Sequence, residues 1–173
     1  MGQGQSKQSL QELQKRLAQR LLAAQADNAQ GAQWLAVQAG GQHYLIPLAQ
    51  AGEIYPWQEV QAVPYAQAWF LGVANVRGSL LGVIDLPALL AHPVERTQQT
   101  LQDSSLLVIN PVLQVNAALV VDRLLGLRNA DNLQPCAVTE SLGPCYQDAQ
   151  GQIWQELSLQ KLVQSAEFLR VSQ

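Results

Sequence analysis

Leucines recur at Leu10, Leu13, Leu17 and Leu21, with Ala18, Leu22 and Ala24 beside them, a three-and-four spacing that lays one apolar stripe along a helix from Ser9 to about Gln25. Lys15, Arg16 and Arg20 fall on the opposite face, and residues 27–31 supply a polar break. The stripe has two destinations. The commoner is the body of the same chain; the other is a partner, for which Leu10, Leu13, Leu17 and Leu21 would form a docking helix. Past Gly31 the period changes from helical to two. Residues 34–39, the pair Gly40-Gly41 and residues 43–48 predict a hairpin, because adjacent glycines accept the positive φ of a tight turn. Pro47 cannot donate to a ladder, so the second strand is expected at an edge or near its end there. A second hairpin runs out over residues 72–77, turns at Gly78-Ser79 and returns over residues 80–85, followed by a helical turn at residues 86–90.

Residues 92–103 are polar and separate two strand-rich halves. Beyond them, Leu106–Ile109 and Ala117–Val121 are short β-branched runs, and Leu124–Leu127 is expected to continue the same sheet. A last hairpin is expected around residues 148–151, with its return at residues 153–157; Ser158 then caps a helix from Leu159 to about Ser165, and Phe168–Val171 closes as a strand. The chain thus divides into a leader with its amphipathic helix (1–31), a first lobe (about 32–91), a connector (about 92–103) and a second lobe (about 104–173). Many short strands joined by tight turns predict a mainly β protein of two small barrel-like lobes, since closing each sheet removes its exposed edges.

Composition narrows the function. Of 173 residues only 13% are charged, and 27 glutamines solvate the surface instead. A net charge of -3 gives no field to hold nucleic acid. No apolar run approaches the roughly 18 residues of a membrane span, and the N-terminus lacks the pattern of a secretion signal, so a cytoplasmic protein without direct membrane insertion is expected. Residues 1–6 satisfy a loose myristoylation pattern that any flexible Gly/Gln/Ser leader also meets. Cys136 and Cys145, nine positions apart, read as reduced structural thiols. His43 and His92 have no helical i, i+4 partner, and no phosphate-binding glycine loop is present, so no enzyme, metal or cofactor is expected.

What stands out is a polar trio in an apolar hairpin: Asn75, Arg77 and, across the turn, Asp85. Asn75 and Arg77 alternate with Ala74 and Val76, which sends both polar side chains to one face of a strand. In one reading Arg77 is partly buried, pairs with Glu53 or Asp85 and fixes the turn, while Asn75 caps a loop. In the other, these side chains border a groove that receives a partner's helix, with Phe70, Leu71 and Val73 adding apolar contact.

At these residues the sequence resembles the CheW-like chemotaxis coupling proteins. Gly72-Val73-Ala74-Asn75-Val76-Arg77-Gly78 followed by Val83-Ile84-Asp85-Leu86 is similar to that family's central signature, with support from residues 44–48, Glu53-Ile54, Val63-Pro64 and Leu119–Asp122. Residues 154–159 and 168–171 resemble the PilI-type variant that serves twitching motility by type IV pili. The resemblance implies two SH3-like five-stranded β-barrel lobes and a non-catalytic adaptor recruited to membrane-associated chemoreceptor arrays. Its partners would be the regulatory domain of a CheA-like histidine kinase and the cytoplasmic tip of a chemoreceptor. The receptor-binding residues so implied are Glu53, Gly72, Val73, Asn75 and Arg77, with apolar contact from Ala51. Two other functions remain open at the level of sequence: a small-molecule sensor using the crevice between the lobes, and a hydrolase using Cys136 or Cys145 with His43.

Overall fold

The structure is a computed structural model that describes residues 9–19, 33–136 and 143–171. Residues 9–19 are helical (α1). The remainder of the expected helix, Leu21 included, lies outside the described residues. The Gly40-Gly41 hairpin forms as expected: β1 (Trp34–Ala39) pairs antiparallel with β2 (Gln42–Pro47), with φ of 60° and 77° at the two glycines and Pro47 at the strand's end. Then come β3 (Ala51–Pro56), β4 (Phe70–Val76), β5 (Ser79–Asp85), α2 (Leu86–Leu89), α3 (Gln98–Gln102), β6 (Ser105–Ile109), β7 (Ala117–Val121) and β8 (Arg123–Arg128). The chain closes with β9 (Gln134–Pro135), β10 (Cys145–Gln147), β11 (Ile153–Glu156), α4 (Leu159–Gln164) and α5 (Ala166–Leu169).

These strands form two sheets, ordered β8-β1-β2-β11-β10-β9 and β3-β6-β7-β5-β4, so the protein is mainly β, with one sheet of six strands where five were expected. The division of the lobes by sequence halves is corrected: β1 and β2 share a sheet with β8 to β11, while β3, β4 and β5 join β6 and β7. Nor does Leu124–Leu127 continue the sheet of β7; β8 crosses over to pair with β1. The interleaving follows from where apolar side chains go. Along β7, Ala117, Leu119 and Val121 enter one core and Ala118 and Val120 another. Along β1, Leu35, Val37 and Ala39 enter that first core while Trp34 and Ala36 face a third. Each sheet therefore has two buried faces, one curled around its own small core and one packed on the other sheet, which is why β7 is apolar throughout rather than alternating.

One strand goes unforeseen and one expectation fails, each for a local reason. Ala51–Pro56 carries no alternating signal, because the register shifts between Ala51 and Ile54 and puts a bulge where a regular strand would alternate. Phe168–Val171 is not a strand. The Ser165 hydroxyl accepts from the Phe168 amide and starts the turn of α5, and Phe168 stacks on Trp69 with ring centroids 6.1 Å apart. Ser158 does cap α4, accepting from the Lys161 amide.

Helix α1 lies against its own body. Gln14 Nε2 donates to Ser105 Oγ at 2.8 Å, Ala18 packs on the shared core, and Leu17 is half-buried. Leu10 and Leu13 remain exposed.

Candidate functional site

The β4–β5 turn falls one residue earlier than expected. Arg77 and Gly78 are its two central residues, with φ of 50° and 81°, the backbone of a primed hairpin turn. Asn75 accepts the Gly78 amide at 3.0 Å and so caps that turn. This corrects the single-face reading: Arg77 leaves from the turn tip rather than the strand face, and its side chain is 77% exposed rather than partly buried. A non-glycine residue at positive φ costs about 1 kcal/mol, and such strain collects at functional positions.

Arg77 reaches back over β3. Its guanidinium lies 3.9 Å from the Glu53 carboxylate and 5.3 Å above the ring of Tyr55, whose hydroxyl donates to Glu53. Burial first, then the hydrogen bond to Glu53 and that carboxylate's charge, push the Tyr55 phenol above its ordinary value, with Arg77 pulling the other way. The trio rims a groove of about 450 Å³ whose walls include Val76, Leu81, Val108, Ile109 and Pro111, with Asn116 at its margin. Charge at the lip over an apolar floor suits the side chains of an amphipathic helix.

The other expected contact residues lie elsewhere. Gly72 is buried at φ 142°, where an added Cβ would collide with the Gln61 carbonyl oxygen, so glycine here lets the 61–62 backbone approach. Val73 is half-buried and exchanges two backbone hydrogen bonds with Gln61. Ala51 is fully buried and offers no apolar contact to a partner. Asp85 is not a partner of Arg77: it is 4% exposed and bound by Arg96, which also holds Asp122 at 2.6 Å. Sequence reasoning passed over Tyr55, although its i+2 offset from Glu53 on an extended segment was a signal that the two meet.

His43 packs edge-on against Trp154, with ring centroids 5.1 Å apart. Leu35, Ile46, Ile84 and Leu119 fill the space between the sheets, and the cavity at its margin, of about 370 Å³, lies beside α2, α4 and α5. Among the described residues, no three of His, Cys, Asp and Glu gather as metal ligands, and no helix is long and apolar enough to cross a membrane.

The profile of the CheW-like domain matches residues 33–167. The chain belongs to that family. Within it, this CheW-like chain is 29% identical to Protein PilI of Pseudomonas aeruginosa over 108 residues, 62% of this chain and 58% of PilI. It is 33% identical over 58 residues to Chemotaxis protein CheW of Rhizobium meliloti, 34% of this chain and 37% of that protein. The chain thus spans well under two thirds of the length of these curated relatives. The crystal structure of scaffolding protein TtCheW from Thermoanaerobacter tengcongensis superposes with a TM-score of 0.64 at 14% identity, covering 79% of this chain and 95% of that one. That likeness is one of fold, and it makes the two sheets described above the two SH3-like lobes of a CheW-like protein.

Proposed function

We propose that this chain is a non-catalytic signalling adaptor that couples chemoreceptors to a CheA-like histidine kinase, in a chemosensory pathway controlling type IV pilus twitching motility. The observation that carries the reading is the apolar groove rimmed by Glu53, Tyr55 and Arg77 on a chain of the CheW-like family. Similarity to PilI supports the twitching pathway. The groove takes the helical hairpin at the cytoplasmic tip of a receptor; Arg77 and Glu53 set its orientation, while Asn75 and Gly72 hold the hairpin that presents Arg77. The regulatory domain of the kinase binds a separate surface. Holding both partners on one rigid body raises their effective concentration, so contacts of modest affinity suffice, and a small receptor shift biases the kinase's conformational equilibrium. The protein works in the cytoplasm, recruited to membrane-associated receptor arrays, and residues 32–173 carry the activity.

The test is binding of purified chain to a PilI-associated CheA-like kinase fragment and to a receptor-tip hairpin, measured by calorimetry without nucleotide. Arg77→Ala is expected to weaken the receptor complex roughly fivefold to tenfold, about 1 kcal/mol, and to leave kinase binding unchanged. Failure of the parent chain to bind either partner would sink the proposal.

A further inference from the structure

The two cysteines, distant from the groove, face one another. Strand β9 pairs antiparallel with β10 through Pro135 opposite Tyr146 and Gln134 opposite Gln147, and the next step of that register sets Cys136 opposite Cys145. The Cys136 amide donates to the Cys145 carbonyl at 2.8 Å, which carries the alignment of the two strands one residue past the end of β9. Residues opposite one another on antiparallel strands carry their side chains on the same face of the sheet with Cα atoms about 4.5 to 5.5 Å apart, within the separation of about 4.4 to 6.8 Å that a disulfide spans. Cys136 is half-buried and Cys145 buried, and neither is in a disulfide. On its other side Cys145 is held by pairing with Gln155 of β11, and the Glu156 amide donates to Pro144.

We propose that Cys136 and Cys145 form a redox modification site, oxidised by peroxide to a cross-strand disulfide that staples β9 to β10. Cys136 is the thiol that peroxide reaches first. Its sulfur loses two electrons to the peroxide O–O bond, giving a sulfenic acid and one water. The Cys145 sulfur then attacks the Cys136 sulfur, forming the S–S bond and displacing the hydroxyl as a second water. Two thiols and one hydrogen peroxide become one disulfide and two waters. Oxidation adds a covalent tie to the few backbone contacts of a two-residue strand, and a thiol reductant reverses it.

The test uses the reduced full chain titrated with hydrogen peroxide, read by mass and by thiol titration after denaturation. The expected product is a monomer lighter by about 2 Da with both thiols gone and a peptide linking residues 136 and 145. Of the chains that peroxide oxidises, the share ending as the 136–145 disulfide instead of a sulfinic acid should be higher in the folded chain than in urea, because the ladder holds Cys145 beside the sulfenic acid. Cys136→Ser, at a half-buried position, should abolish the mass loss and leave Cys145 titratable only on unfolding. Cross-linking only between chains, an equal disulfide share in folded and unfolded protein, or equally fast oxidation of Cys145 in Cys136→Ser would each overturn the proposal.

Discussion

Two arginines of this chain sit beside carboxylates, and the contrast between them separates what holds the fold from what faces a partner. Arg96 lies in the polar stretch between α2 and α3, with its side chain 11% exposed and its guanidinium on Asp85 at 2.8 Å and Asp122 at 2.6 Å. Asp122 in turn accepts the Gly40 amide at 2.7 Å, so this one cluster ties the β1–β2 turn of one sheet to β5 of the other. Arg77 is 77% exposed and meets Glu53 only at 3.9 Å. Both pairs look alike in a sequence, but their surroundings differ in dielectric and screening. A desolvated pair is expensive to break, whereas an exposed one adds about 0 to 1 kcal/mol.

The largest effect is therefore expected at Arg96. Arg96→Met leaves two carboxylates facing each other without a cation and should cost roughly 3 kcal/mol, read as a lower urea midpoint at unchanged slope. Receptor binding by the folded fraction should persist. A loss below about 1 kcal/mol would mean that the cluster is solvated and does not latch the sheets. Gly72→Ala comes next. Its φ of 142° and the collision with Gln61 should cost about 1 to 3 kcal/mol or more, and partner affinity per folded molecule should hold. If affinity falls instead with stability intact, Gly72 is a contact residue after all.

That contrast also marks how far the sequence could be read. Hairpins announce themselves through adjacent residues, so the Gly40-Gly41 turn, the β10–β11 return and the Ser158 cap were all legible. Strand exchange between the sheets was not, because β8 and β11 pair with strands more than a hundred residues or nearly so before them, and nothing local encodes that. The groove shows the same division. The family resemblance pointed to Glu53 and Arg77, which meet at its rim, whereas Ala51 and Gly72, expected to lie at the surface beside them, are buried. Arg96 was missed because its meaning depends on two aspartates 11 and 26 positions away. A polar linker and a structural latch have the same composition.

At Arg77 the expected stability change has the opposite sign to that at Arg96. Asn-Gly is a preferred pair for a primed turn and tolerates positive φ better than Arg-Gly, so Arg77→Asn should raise stability by up to about 1 kcal/mol while weakening the receptor complex. Stabilisation together with lost coupling would place Arg77 among residues kept for a partner at the expense of the fold. A fall in stability would instead make the Glu53 and Tyr55 contacts structural.

The smallest effect reports on whether the rim exists in solution. Burial and Glu53 raise the Tyr55 phenol above 10.0, while Arg77 opposes them. Because the folded value is raised, Tyr55 contributes stability that is full below the unfolded value near 10 and disappears as pH rises through the folded one. Phenolate absorbance should therefore show Tyr55 titrating late, as Tyr146 also does because burial and Glu156 raise its phenol, so Tyr55 is read in a Tyr146→Phe background. Glu53→Gln should move it back toward the ordinary value by removing the carboxylate charge, and Arg77→Ala should move it further up by removing the cation that favours phenolate. The opposed shifts require both side chains to lie against Tyr55 at once. If Arg77→Ala leaves the titration where it was, the guanidinium does not rest over the ring, and the groove lacks the basic half of its rim.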